Sequence, residues 1–199
     1  MLKASRIGKS QTRIRKLVLI AMLSGISIFL GVSGLGFIKL PAFNLTIMHL
    51  PVIIGAILEG PAVGAAVGLM FGLFSMYQAI TAPTLTSFVL LNPIISLLPR
   101  VLIGIVAYYS YKVIYKILKK QKISIGVAAI LATLTNTVGV LGLTYILYLD
   151  KYAQALNISP SAVGTTLLTI ASTNGLLEAA ASALISVPVI IGVLKIKRK

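Results

Sequence analysis

Arg100 lies inside the run FVLLNPIISLLPRVLIGIVAYYSY, Phe88 to Tyr111, which is otherwise apolar or small. A guanidinium stays protonated, so at membrane depth it needs an anion, a set of dipoles or water. Facing lipid it would cost roughly 2.5–3.5 kcal/mol on insertion scales. It is therefore expected to point into a bundle interior or a cavity, where a small anionic molecule is the natural partner. Other polar side chains fall at similar depth. At 1.5 Å per residue Arg100 is about 12 Å along its helix from Asn92. Asn136 is about 20 Å in from one end of the fifth apolar segment, and Asn174 about 15 Å into the sixth. Glu178 follows Asn174 by four positions and shares its face. Tyr77 and Gln78 finish the third segment, and His49 lies near the outer end of the second. As a set these residues suit a ligand with a carboxylate or phosphate and several hydrogen-bonding groups. Two bland readings stay open: an internal salt bridge from Arg100 to Glu178, and a purely structural hydrogen bond for His49.

Other chemistry is excluded by what is missing. The 199 residues hold no cysteine, one histidine and three acidic residues, which leaves no disulfide framework, no thiolate metal site and no acid–base pair for hydrolysis. No cofactor is implied. Gly8-Lys9-Ser10 resembles the tail of a phosphate-binding loop. The pattern requires glycine at position 3, where Lys3 stands, and no strand precedes it. Any ATP-driven step must belong to another chain.

The elements that hold these side chains follow from composition. Hydrophobic residues make up 58% and charged residues only 11%, with a mean hydropathy of +1.03; soluble domains carry about a quarter charged residues. An all-α polytopic membrane protein is expected, a single domain over 1–199 with a basic cytoplasmic tail at 1–16. The net charge of +15 does not indicate nucleic acid, because lysines and arginines gather at Lys3–Lys16, Lys112–Lys122 and Lys195–Lys199, as positive-inside signals beside anionic lipid do. The apolar run after Lys16 is too long for a signal-peptide core and lacks an A-x-A site, so it is read as the first span.

Six apolar segments can be drawn: Leu17–Ile38, Asn44–Leu58, Pro61–Ala79, Asn92–Leu118, Ile125–Leu149 and Gly164–Leu194. A spanning helix needs about 20 residues, and the second is short. Parity retains it, since three cytoplasmic basic clusters require an even number of spans between each pair. Six transmembrane helices with both termini cytoplasmic are predicted. Lys39 to Asn44, Thr81 to Phe88 and Asp150 to Ser161 become outer loops, the last carrying a short helix of its own. Glu59-Gly60-Pro61 becomes a tight inner turn with a solvated Glu59. Gly60, Gly64, Gly68 and Gly72 recur every four positions and predict close helix packing. Ala21 and Gly25, and Ala179 and Ala183, do the same, with a docking face for a second membrane protein as the sharper reading of the first pair.

With these features in place, the chain resembles the substrate-binding S components of energy-coupling-factor vitamin transporters. The likeness rests on length, six helices, a basic N-terminus, the small-xxx-small pair Ala21 and Gly25, and the G-P turn. The stretches IMHLPVIIGAILEGPAVGAAVGLMFGLFS and TSFVLLNPIISLLPRVLIGIVAYYSYK are most similar to the pantothenate branch. The family usually has alanine at both small positions, so Gly25 is a departure. The resemblance implies capture of a vitamin from outside, docking through helix one onto a transmembrane coupling subunit, and release driven by two cytoplasmic ATPase subunits. Pantothenate would suit Arg100 as anion partner, with Asn136, Asn174, Gln78 and Tyr77 as hydrogen-bonding groups. The lack of tryptophan argues against a flat-ring ligand. Within this class, an S component for another small vitamin or precursor is the competing expectation; outside it, a stand-alone secondary transporter or channel is, and the internal repeats common in such proteins are not evident.

Overall fold

A computed structural model describes residues 2–39 and 44–197, with the side chains of 13–37 and 46–196. The central residues of the expected loop from Lys39 to Asn44 lie outside the described set, as do the side chains of Gly8-Lys9-Ser10. Helix α1 runs Leu2–Val32, so the backbone of the basic segment is helical and continuous with the first apolar run. Strands β1 (Phe37–Lys39) and β2 (Asn44–Thr46) form an antiparallel hairpin pairing Phe37 with Thr46. Then come α2 (Leu50–Glu59), α3 (Pro61–Thr81), a 3-10 turn (Ser87–Val89) and α4 (Pro93–Leu118). Helix α5 (Gln121–Leu156) is followed by α6 (Pro160–Ile170), a π-helical turn (Ala171–Gly175) and α7 (Leu176–Lys197).

Among the described residues, five helical stretches are long and apolar enough to cross a membrane, α6 through α7 counting as one of 37 residues. Helix α2 is shorter. Its ten residues reach about 15 Å, half of the ~30 Å hydrocarbon core. The predicted helix from Asn44 is a strand at its start, because Pro51 sits in the first turn of α2, where its missing N–H costs nothing. The connection from Asp150 carries the short helix expected of it: α5 breaks at Tyr148 (φ −136°), and the helical piece beyond that kink runs on to Leu156.

Helix α2 is the centre of the bundle, with Val52, Ile53 and Ala56 fully buried. Around it pack Val63, Val67 and Phe71 of α3, Ile103 and Ala107 of α4, Ile125 and Ala128 of α5, and Ile190 of α7. The outward faces are also apolar: Leu17, Phe29, Ile80, Ile146, Leu168 and Leu184 are each more than 60% exposed. A bundle apolar inside and out fits lipid surroundings.

The expected glycine packing is present on α3. Gly64 lies against Ala56 of α2 and Gly104 of α4, and Gly72 against the Ser96 carbonyl. Gly68 backs onto the Arg100 carbonyl so closely that a β-carbon there would collide with backbone. Gly60 instead makes the turn, at φ 104°, where a side chain would be strained. Glu59 is not a solvated charge: its carboxylate is 13% exposed and pairs with Arg15 of α1 at 3.1 Å.

Candidate functional site

The position of Arg100 is set by the residue before it. Pro99 has no N–H, so the Ile95 carbonyl four residues earlier loses its helical donor. Arg100 Nη1 donates to that freed carbonyl at 2.7 Å. The guanidinium carbon lies 5.7 Å from the centre of the Phe71 ring, a cation–π distance, and the residue is 6% exposed. Its Nε has no partner. Among the described residues Arg100 makes no ion pair. A buried guanidinium with one of five donors engaged and no counter-ion is electrostatically incomplete.

The group faces a cavity of about 250 Å³ at the hairpin end of the bundle, whose lining brings together His49, Arg100, Asn136, Asn174 and Glu178. Five of the eight candidates named from sequence thus share one space. Asn136 Oδ1 is buried without a partner, so an unused acceptor accompanies the unused donor of Arg100. Glu178 does not pair with Arg100; its Oε1 accepts the Thr46 backbone N–H at 2.8 Å. His49 is buried and bonded through Nε2 to Thr133 Oγ1 at 3.0 Å, with Thr133 in turn 2.9 Å from Ser182.

The other three candidates are elsewhere. Asn92 caps α4, accepting from Ile94 N at 2.9 Å and donating to Tyr148 Oη at 3.3 Å. Tyr77 is 60% exposed beside Phe74. Gln78 is half-buried near the end of α3 and does not line the cavity.

Sequence reasoning missed Phe71, Thr46 and Thr137 in the cavity wall. Phe71 follows Gly64 by seven and Gly68 by three, so the glycine face pointed to it. Gly175 is seated against Thr137 by the π-helical turn, signalled only by the weak helix formers Ser172, Thr173, Asn174 and Gly175. Two larger grooves of about 400 and 410 Å³ have mostly apolar walls, the first around Val138, Tyr145 and Leu168, the second around Val18, Leu23 and Val193. The first offers little to orient a polar molecule, and the charged pair beside the second, Arg15 and Glu59, is engaged with itself. Among the described residues no cluster of three acidic or histidine side chains could hold a metal.

Fold and cavity together define a multi-pass helical membrane protein with a polar, cation-bearing chamber at one end. Residues 15–190 match the family described as ECF transporter, substrate-specific component, and the chain belongs to that family. It is thus a multi-pass protein of the cell membrane and a member of a transporter family rather than an enzyme class. Two curated relatives are the pantothenic acid transporter PanT of Lactococcus lactis subsp. cremoris and the pantothenate transporter PanT of Leuconostoc mesenteroides subsp. mesenteroides. The first is 38% identical over 110 residues, covering 48% of this chain and 54% of the relative. The second is 34% identical over 122 residues, covering 56% and 58%. The chain spans little more than half the length of these curated relatives.

Proposed function

We propose that this protein is the vitamin-binding S component of an ECF importer and that its ligand is pantothenate. The observation that carries the reading is Arg100: a buried cation without a counter-ion among the described residues, with an unpaired Nε, facing a polar cavity of about 250 Å³. Pantothenate brings a carboxylate for that charge, and hydroxyl and amide N–H donors for the free Asn136 oxygen. The cavity is below the ~300–1,000 Å³ usual for drug-sized ligands, which favours a small vitamin over folate or a flavin. Asn174 completes the polar lining. The names of the two relatives support the same ligand.

In this reading 1–199 is one domain with six crossings. Helix α2 and the hairpin together make the second, and the basic clusters keep both termini in the cytoplasm. The cavity then opens outward. Ala21 and Gly25 face away from the bundle, with nothing within 4 Å of a β-carbon at Gly25. That exposed small-residue face suits docking onto a transmembrane coupling subunit, with two cytoplasmic ATPase subunits driving release.

The deciding experiment is mass spectrometry of small molecules that co-purify with the protein, followed by titration with radiolabelled pantothenate. Co-purified pantothenate and submicromolar binding are expected. Tight binding of another vitamin beside millimolar binding of pantothenate overturns the assignment.

A further inference from the structure

Glu178 lines the cavity, yet its bond goes to the chain rather than into the space. Strand β2 has two edges. Ile47 N–H turns toward β1 and donates to the Gly36 carbonyl at 2.9 Å. The preceding N–H, of Thr46, points the other way, as alternation in an antiparallel pair requires. There it meets Glu178 Oε1 at 2.8 Å, a contact between residues 132 apart in sequence. A carboxylate accepting an amide N–H makes a charge-assisted bond, stronger than an ordinary one. His49, three residues further along the same connection, is anchored to α5 through Thr133 Oγ1 at 3.0 Å. The α1–α2 connection is therefore fastened to α7 at Thr46 and to α5 at His49, and both residues line the cavity.

We infer that Glu178 is a positioning residue: by holding the Thr46 N–H it fixes the Thr46 wall of the cavity and keeps its own carboxylate off Arg100. Both effects serve recognition of an anion. A carboxylate free to swing across the cavity would neutralise Arg100 and compete with the ligand. Engaged at Thr46, it leaves the guanidinium's charge for the guest. What matters is then an acceptor oxygen at the reach of a glutamate side chain, rather than negative charge. This inference rests on the anion-binding reading above, and its test separates the two.

Three substitutions discriminate. Glu178→Gln keeps an acceptor oxygen at the same reach without the charge. Glu178→Asp keeps the charge but is one methylene short of Thr46. Glu178→Ala removes both. Affinity for radiolabelled pantothenate is expected to stay within about threefold of the parent, or tighten, in the glutamine variant. It is expected to fall at least tenfold in the aspartate and alanine variants, chiefly through faster dissociation. Amide exchange in the ligand-free protein supplies the second arm: the Thr46 amide should exchange fastest in the aspartate and alanine variants, with the glutamine variant, whose bond lacks the charge assistance, between them and the parent. Binding retained by aspartate and lost by glutamine overturns the inference, since charge would then be the working property. Parent-like binding in all three overturns it too. Failure of the parent to bind pantothenate rejects the proposed ligand. The amide arm then decides alone, and equal Thr46 exchange in all four proteins rejects the latch.

Discussion

At the scale of single residues, the site depends on a proline as much as on an arginine. Arg100 supplies the charge, and Pro99 supplies the free Ile95 carbonyl that aims it. Arg100→Ala removes a buried charge-assisted contact and should weaken pantothenate binding by about 2–5 kcal/mol. Isothermal titration of folded protein checks this, and affinity within threefold of the parent would remove Arg100 from the site. Pro99→Ala makes a subtler point. It returns an N–H to position 99, which competes for the Ile95 carbonyl. One hydrogen bond is worth about 0.5–1.5 kcal/mol net, so affinity should drop roughly three- to tenfold. Thermal stability should hold or rise, because the helix regains a bond. Unchanged affinity would mean that the carbonyl does not orient the guanidinium.

At the scale of elements, what places Arg100 is the seam between α3 and α4. A methyl at Gly68 would meet the Arg100 carbonyl, and backbone yields less easily than a side chain. Gly68→Ala should therefore cost about 1–3 kcal/mol as an overpacking change and displace Arg100, lowering both the melting temperature in detergent and ligand affinity. Gly192→Ala on α7 is the control. Nothing lies within 4 Å of a β-carbon there, and alanine is the better helix former by up to ~1 kcal/mol. Stability should hold or rise, and equal losses at both positions would refute the seam argument. The i, i+4 glycine pattern made this seam readable in the sequence, because packing leaves a direct trace in residue size. Convergence of Arg100, Asn136, Asn174 and Glu178 was readable for a related reason: polar groups are too costly in lipid to be scattered at random. The contacts at Thr46 were not. A backbone N–H has no side-chain signature, so no residue type announces that Glu178 reaches across 132 positions to it. The hairpin was hidden likewise, since Phe37–Lys39 and Asn44–Thr46 are too short to carry a period-two pattern.

At the scale of the whole molecule, the six-crossing proposal depends on whether the hairpin and α2 together traverse the bilayer. The absence of cysteine permits single-cysteine labelling on an unaltered background. Ser33, Ala62, Lys120 and Ser161 are exposed. With six crossings, an impermeant maleimide should label Ser33→Cys and Ser161→Cys in intact cells, and Ala62→Cys and Lys120→Cys only after permeabilisation. Labelling of positions 33 and 62 from the same side would eliminate the second crossing. The same orientation puts the outward face of α1 in position to meet a partner within the membrane. Ala21 and Gly25 are exposed there among the large side chains of Leu17, Met22 and Phe29. A tryptophan at position 21 points into lipid in the isolated protein, where an aromatic ring is tolerated, so the fold and the distant cavity should not change. Against a closely approaching helix the same ring is an obstruction, because small residues at such interfaces act by letting backbones touch. Ala21→Trp should thus bind pantothenate with parent affinity while recovering far less ATPase subunit in a membrane pull-down and supporting little uptake. Full uptake by this variant would move the docking surface away from α1, and lost ligand binding would mean that the α1 face is structural.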